Sequence, residues 1–163
     1  KDLVRESIFN LLLHSKKLSF KIEKSNILDL YAGTGSFGLE CISRDAKNAY
    51  FIENEKEAIK TLEKNIKKLN IKDKFKIFPQ DVFKLFEKKN IYGINFDLIF
   101  CDPPFKLKNI KKLIDLIFRN NLLNKDGIII LHRNKTTKEL LPDYFKVIDK
   151  RIYGISKIIF GRF

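Results

Sequence analysis

The chain has 163 residues, enough to bury roughly 70% of its unfolded surface in one core. Its two cysteines, Cys41 and Cys101, lie in apolar stretches, and this pattern excludes a scaffold held by disulfides. No apolar run approaches the roughly 20 residues that cross a bilayer, and no charged and then apolar leader is present, which argues against membrane insertion or secretion and indicates a cytoplasmic protein. The net charge of +13 favours a nucleic-acid partner, although an A+T-rich genome would also enrich lysine.

The first predicted element is a helix over residues 2–13, in which Val4, Ile8, Leu11 and Leu12 form an apolar stripe. Residues 16–25 are polar and predict a loop, so we expect residues 1–25 to form a helix and loop ahead of a core at 26–163 within one domain. The chain begins at Lys1 and contains no methionine, so we expect an N-terminal segment to be missing from it.

From residue 26 onward, short apolar runs alternate with stretches of helical period, which is typical of β-α units on a mostly parallel sheet. The apolar runs predict strands over residues 27–31, 49–53, 74–78, 96–101 and 127–131, with helices at 58–69 and 110–117. The tail differs, because residues 144–152 and 156–160 are strand-like and predict a β-hairpin around Gly154. The predicted fold is therefore α/β and Rossmann-like, with a seven-stranded, mostly parallel sheet and an antiparallel terminal hairpin. It resembles the fold of methyltransferases that depend on S-adenosyl-L-methionine (SAM).

A glycine-rich loop follows the first predicted strand. Residues 33–38 read Gly-Thr-Gly-Ser-Phe-Gly, which satisfies G-x-G-x-x-G between a strand and a helix. Glu53 lies 20 positions beyond Gly33, at the end of the second strand, where an acidic side chain accepts hydrogen bonds from ribose hydroxyls. The loop alone fits NAD as well as SAM, so it does not decide the cofactor.

Asp29, inside the first strand and four residues before Gly33, favours SAM. A carboxylate there suits the ammonium group of SAM and would repel the pyrophosphate of a dinucleotide, and a buried acid without a partner is costly. Asp81 stands where methyltransferases of this class carry an acid that accepts from the adenine amino group, with a helix N-cap as the alternative. We therefore predict S-adenosyl-L-methionine as the cofactor, and no metal.

The four residues Asp102-Pro103-Pro104-Phe105 directly follow the fourth predicted strand. The exocyclic amine of a purine is a poor nucleophile because its lone pair is delocalised into the ring. Asp102 and the carbonyl of Pro103 are expected to accept its two N–H bonds, which makes the lone pair available for in-line transfer. Phe105 is expected to stack on a base turned out of its helix. An isolated Asp-Pro-Pro is also typical of a helix-capping turn, so this interpretation depends on its position at a strand end.

Taken together, several stretches resemble the RsmD family of small-subunit rRNA guanine-N2 methyltransferases. They are residues 4–10, 28–40, 43–44, 51–53, 102–105 and 151–154. The resemblance implies SAM-dependent methylation of the exocyclic N2 amine of a guanine in 16S rRNA, the family's guanine 966, during small-subunit assembly. The implied partner is 16S rRNA in an assembly intermediate, and we expect a monomer that does not contact a membrane.

The resemblance also implies that Arg5, Glu6 and Asn10 belong to a helix that closes over the cofactor. With the residues above, the predicted cofactor set is Asn10, Asp29, Tyr31, Ala32, Gly33, Gly35, Gly38, Glu53, Asn54, Asp81 and Val82, and the predicted catalytic set is Asp102, Pro103, Pro104 and Phe105. A basic patch of Lys106, Lys108, Lys111 and Lys112 follows the catalytic turn and is predicted to meet phosphate.

Two features depart from the family. Its basic leader, rich in Arg and Gly, is absent before Lys1, and Leu131-His132-Arg133 stands where many members end the fifth strand with an acidic residue. We interpret His132 as a strand-end residue rather than a catalyst. An adenine-N6 methyltransferase stays open as an alternative, because the same turn serves both amines. A non-catalytic RNA-binding assembly factor and an NAD-linked enzyme are further alternatives.

Overall fold

The computed structural model describes residues 2–88, 91 and 93–163 of the chain. In chain order the elements are α1 (Asp2–His14), β1 (Asn26–Leu30), α2 (Ser36–Ser43), β2 (Asn48–Ile52), α3 (Lys56–Lys68), β3 (Phe75–Phe78), α4 (Val82–Glu87), β4 (Phe96–Cys101), α5 (Ile110–Arg119), β5 (Leu123–Asn134), β6 (Lys146–Tyr153) and β7 (Ser156–Arg162). The predicted strands are present, with the largest difference in β5, which is longer at both ends than predicted. The predicted terminal hairpin is formed by β6 and β7.

Within the described residues, the strands form one seven-stranded sheet in the order β3-β2-β1-β4-β5-β7-β6. The first five strands pair in parallel, and β7 is antiparallel to both β5 and β6. The predicted fold class is therefore confirmed. From β1 the strand order runs first to one side, through β2 and β3, and then to the other, beginning with β4. The carboxyl ends of β1 and β4 therefore lie side by side, with Leu30 paired to Cys101. Open α/β sheets bind their ligands at such a switch point.

Apolar side chains cover both faces of the sheet. On one face α4 and α5 pack over residues such as Leu30, Ile99 and Ile129, and on the other α1, α2 and α3 pack over residues such as Phe51 and Phe100. The stripe predicted on α1 is the face that it buries. Both cysteines are free and buried, which confirms their predicted place in the core.

Across the described stretches, the helices are too short or too polar to span a bilayer.

Candidate active site

A pocket of about 670 Å³ opens at the carboxyl ends of β1, β2 and β4. Its volume is typical of small-molecule sites, which are roughly 300–1,000 Å³. Most of the predicted site residues line it: Asp29, Tyr31, Ala32, Gly33, Glu53, Asn54, Asp102, Pro103, Pro104 and Phe105. The structure thus brings together two motifs that are more than sixty residues apart in the chain, because both end on neighbouring parallel strands.

Helix α1 forms one side of this pocket through Val4, Arg5 and Ile8. Beneath it, Phe37 lies between Phe9 of α1 and Phe100 of β4, with ring centroids 5.1 and 3.9 Å away. This aromatic stack fixes the helix over the strand ends. Arg5 lines the pocket, and its contact with the cofactor, which the resemblance implies, stays a prediction. Glu6 and Asn10 are exposed on the same helix and do not line the pocket, so a cofactor contact for Asn10 stays a prediction.

Asp29 lies at the base of the pocket and is only 1% exposed. Its Oδ2 accepts a hydrogen bond from the backbone N–H of Gly38 at 3.0 Å, and within the described residues its Oδ1 makes none. Burial raises the pKa of Asp29 well above its ordinary 3.8, the Gly38 N–H opposes that shift, and the charges of Asp102 and Glu53 add to it. A ligand ammonium would supply the missing partner.

Glu53 ties the loop after β1 to the end of β2. Its Oε2 accepts from the Gly33 N–H at 2.7 Å, and its Oε1 accepts from the N–H groups of Asn54 and Glu55 at 2.9 Å each. Each carboxylate oxygen has about two acceptor positions, so Oε2 keeps one for a ligand hydroxyl. Glu53 thus shapes the loop and remains able to accept from a ribose.

The three glycines of the loop have different roles. Gly33 has a φ of +58°, and a Cβ added to it would point into open space beside the pocket, so its backbone is free to approach a ligand. Gly35 has a φ of +83°, and a Cβ there would collide with Leu62 of α3. A Cβ on Gly38 would collide with the ring of Phe51. Gly35 and Gly38 therefore permit close packing, and direct cofactor contacts for them stay predictions.

Val82 is the first residue of α4 and Asp81 is its N-cap residue, and neither lines the pocket. One oxygen of Asp81, Oδ1, accepts from the backbone N–H of Lys84 at 3.0 Å, which is the N-cap role that the sequence left open as the alternative. The cap uses that one oxygen, so a contact between Asp81 and adenine remains compatible with it. That contact stays a prediction.

The turn of residues 102–105, which is predicted to be catalytic, lies beside Asp29 at the mouth of the pocket. The side chain of Asp102 is 37% exposed, and its Oδ1 lies 2.9 Å from Nδ1 of His132. Within the described part of the chain, its Oδ2 makes no hydrogen bond. Phe105 is 41% exposed and contacts the His132 ring edge-to-face, with 5.7 Å between centroids. The turn therefore presents a carboxylate oxygen and an aromatic face to whatever enters the pocket.

The buried guanidinium of Arg133 on β5, for which the sequence predicted no role, supports this turn. It is 0% exposed, donates to the backbone carbonyls of Pro104, Phe105 and Leu107, and pairs with Glu139 at 2.8 Å. An available signal was a charged residue at the end of an apolar run, because a buried charge requires a partner. The strand β5 thereby fixes the path of the chain after β4.

A second cavity, of about 470 Å³, lies near the amino ends of β1, β4 and β5 and is lined in part by Lys21, Asp97 and Asn124. Asp97 there accepts hydrogen bonds from the N–H of Asn26 and the side-chain amide of Asn124, at 2.8 and 2.7 Å. These bonds join the starts of neighbouring strands and use both oxygens of the carboxylate, so we assign Asp97 a structural role and no catalytic one. No group of three or more potential metal-ligand side chains is found among residues 2–88, 91 and 93–163.

Replacement of Asp29 with asparagine is expected to weaken SAM binding while raising the Tm of the ligand-free protein. Loss of the charge should lower SAM affinity by roughly 10- to 100-fold, as for other hydrogen bonds to charged groups. Because folding raises the pKa of Asp29, this carboxyl makes the wild type less stable as pH rises above 3.8. The Tm difference should therefore shrink as the pH falls towards 4. Calorimetric titration and a pH series of melting curves measure both effects.

The exposed carboxyl of Asp73 provides the matched control for that experiment. Asp73→Asn removes the same charge from the surface and should change neither SAM affinity nor the pH dependence of the Tm. A lower Tm for Asp29→Asn at neutral pH would contradict our explanation, since it would mean that the ionised carboxylate stabilises the ligand-free fold.

The sheet order, the glycine loop and the acids at the ends of β1 and β2 define the class of SAM-dependent methyltransferases, and SAM is the cofactor. Over residues 1–162 the sequence matches the family described as Conserved hypothetical protein 95. The chain belongs to this family, which is the RsmD family, and the predicted membership is confirmed. Family membership therefore identifies SAM, rather than NAD, as the cofactor of the glycine-rich loop.

Individual relatives agree with the family assignment. The ribosomal RNA small subunit methyltransferase D of Buchnera aphidicola is 33% identical over 140 residues, which cover 86% of this chain and 67% of that protein. A solved structure described as a candidate methylase, from Haemophilus influenzae, is 27% identical and has a TM-score of 0.78, covering 98% of this chain and 96% of the other. A structure described as a candidate methyltransferase in complex with SAH shares the fold at 14% identity, with a TM-score of 0.76 over 98% of this chain and 49% of the other.

Proposed function

We propose that this protein is an rRNA methyltransferase that transfers a methyl group from SAM to the exocyclic N2 amine of a guanine in 16S rRNA, at position 966, in a small-subunit assembly intermediate. The observation that carries the chemistry is the shared pocket: Asp29, suited to an ammonium, and Asp102, suited to an amine, line the same cavity. The guanine and the assembly intermediate rest on the family resemblance and on relatives named for small-subunit rRNA.

Bound SAM supplies a methyl group on a positively charged sulfur, ready for attack by a nucleophile. The chain's own residues prepare that nucleophile. Oδ2 of Asp102 and the Pro103 carbonyl accept the two N–H bonds of the amine, so that its lone pair turns out of the ring plane. The half-exposed ring of Phe105 stacks on the extruded base. The rigid Pro-Pro step keeps these groups at fixed separations.

RNA binding is proposed to use lysines that follow the catalytic turn. Lys106, Lys108 and Lys111 are exposed, whereas the Lys112 ammonium lies 2.7 Å from Glu87 and 5.2 Å from the ring centre of Phe83. Lys112 therefore already has partners within the fold, and we place the phosphate contacts on the other three. These lysines follow the pocket-lining Phe105 within six residues of the chain, so RNA that carries the target base is proposed to approach along them.

Changing Lys106, Lys108 and Lys111 together to glutamate should weaken RNA binding at every sequence and reduce its salt dependence, by a slope of about 1 for each lost phosphate contact. The matched control changes Lys21, Lys24 and Lys47, which are exposed near the opposite edge of the sheet and give the same change in net charge. Binding isotherms at several salt concentrations make the comparison. Equal slopes for the two variants would contradict the assignment.

Mass spectrometry of the RNA product tests the proposed reaction. The purified protein, given SAM and unmodified 16S rRNA in small-subunit assembly intermediates, should convert one guanosine to N2-methylguanosine. Methyl appearing on adenosine N6 would instead establish the alternative that the Asp102 turn also allows. Unchanged RNA together with absent SAM binding in calorimetry would favour a non-catalytic assembly factor.

A further inference from the structure

His132 lies between Asp102 and Ser156 and contacts both. His132 Nδ1 lies 2.9 Å from Oδ1 of Asp102, and His132 Nε2 lies 2.8 Å from Oγ of Ser156. His132 is 8% exposed and Ser156 is also 8% exposed, so little water competes for these groups. The two partners come from different strands, since β5 carries the histidine and β7 carries the serine.

The chemistry of the three groups determines which nitrogen of the imidazole carries a proton. An ionised carboxylate only accepts, so the nitrogen facing Asp102, Nδ1, must carry a proton. In a neutral imidazole the other nitrogen, Nε2, is then an acceptor, and the Ser156 hydroxyl donates to it. The Asp102 carboxylate therefore selects the Nδ1–H tautomer, and the Ser156 hydroxyl, which can donate or accept, donates to Nε2 and holds the ring in place. Ser156 does not line the pocket, so this serine is a structural donor rather than a nucleophile.

We propose that His132 is a positioning residue for Asp102, with its ring held in place by Ser156; this inference rests on the proposed function. The contact with Nδ1 engages Oδ1 and restrains the carboxylate rotamer, which leaves Oδ2 available to the amine. His132 itself lines the pocket and contacts the edge of Phe105. One imidazole thus holds both the acceptor for the amine and the ring on which the base stacks.

A donor at this place also offsets an electrostatic cost. Asp102 and the buried Asp29 line the same pocket, and their charges are close enough that Asp102 contributes to the raised pKa of Asp29. Without the imidazole N–H, the Asp102 carboxylate would be expected to rotate towards water and away from Asp29. The histidine keeps it in place without adding a further negative charge.

Three variants test the positioning role in methyl-transfer assays. His132→Leu should lower kcat by roughly 10- to 100-fold, the usual loss when a group that orients a reacting side chain is removed, while the KM for SAM changes little. His132→Asn retains an N–H near the Nδ1 position and should recover most of that loss. Ser156→Ala should lower kcat less than His132→Leu. An unchanged kcat in His132→Leu, or equal losses in the leucine and asparagine variants, would overturn the proposal.

Nitrogen NMR of the imidazole tests the same arrangement without any substrate. The chain has two histidines, so His14→Gln, at an exposed position on α1, assigns the signals and is the matched control. His132 should be found as the Nδ1–H tautomer, and Asp102→Ala, which removes the carboxylate, should convert it to a tautomer mixture. The Nε2–H tautomer in the wild type would overturn the proposal whether or not RNA is methylated. Conversely, Nδ1–H with no methylated RNA would refute the proposed function alone.

Discussion

Replacing Asp102 with alanine is expected to lower the methyl-transfer rate by about 10²- to 10⁴-fold, the range for loss of a group that handles a proton of the reacting atom. The reason is local. Asp102 is the carboxylate at the pocket mouth, and its Oδ2 is available to the incoming amine. Asp29 on β1 and Glu53 just after β2, which are proposed to hold the cofactor, stay intact. SAM affinity should therefore remain within a few-fold of wild type. Single-turnover kinetics and calorimetric titration measure the two quantities separately.

The matched control for Asp102 is Asp97, which lies at the start of the same strand. Asp97 joins Asn26 and Asn124 by hydrogen bonds and is distant from the pocket. Asp97→Ala should lower the Tm and leave kcat near the wild-type value. If Asp102→Ala lost SAM binding and rate in equal measure, Asp102 would be a structural residue and the proposed chemistry would lose its acceptor.

The sequence is sufficient to predict how the two motifs meet. The apolar runs around Asp29 and before Asp102 have the length and composition of buried parallel strands, and residues at the carboxyl ends of such strands share one edge of the sheet. Glu53 follows the same rule at the end of β2. These predictions use only local patterns and the regular geometry of the fold.

Other features depend on contacts between distant segments, which local patterns do not contain. The sequence pattern of β5 does not reveal that Arg133 reaches the turn after β4. That contact can be predicted only when the register between β4 and β5 is known. Lys112 is part of a basic run in the sequence, yet a glutamate on α4 pairs with it. Gly35 fits a cofactor motif, and only the position of Leu62 shows its packing role.

Removal of the Arg133 guanidinium should have the largest effect on the fold around the site. Its pairing with Glu139 is buried, with side chains 0% and 4% exposed. Arg133→Met would leave the Glu139 carboxylate without a partner, and breaking a buried pair in this way costs about 3–5 kcal/mol of the free energy of unfolding. Arg151, which pairs with Asp149 at the surface, is the control, and Arg151→Met should cost about 1 kcal/mol or less.

A double variant separates stability from catalysis. In Arg133→Met with Glu139→Leu the unpaired charge is gone, so denaturant unfolding should show that much of the lost free energy is recovered. The carbonyls of Pro104, Phe105 and Leu107 would still lack their donor, so the catalytic turn would lose its support from β5. The methyl-transfer rate should therefore stay roughly 10- to 100-fold below that of the wild type, while SAM still binds. Recovery of rate together with stability would show that Arg133 acts on the fold alone.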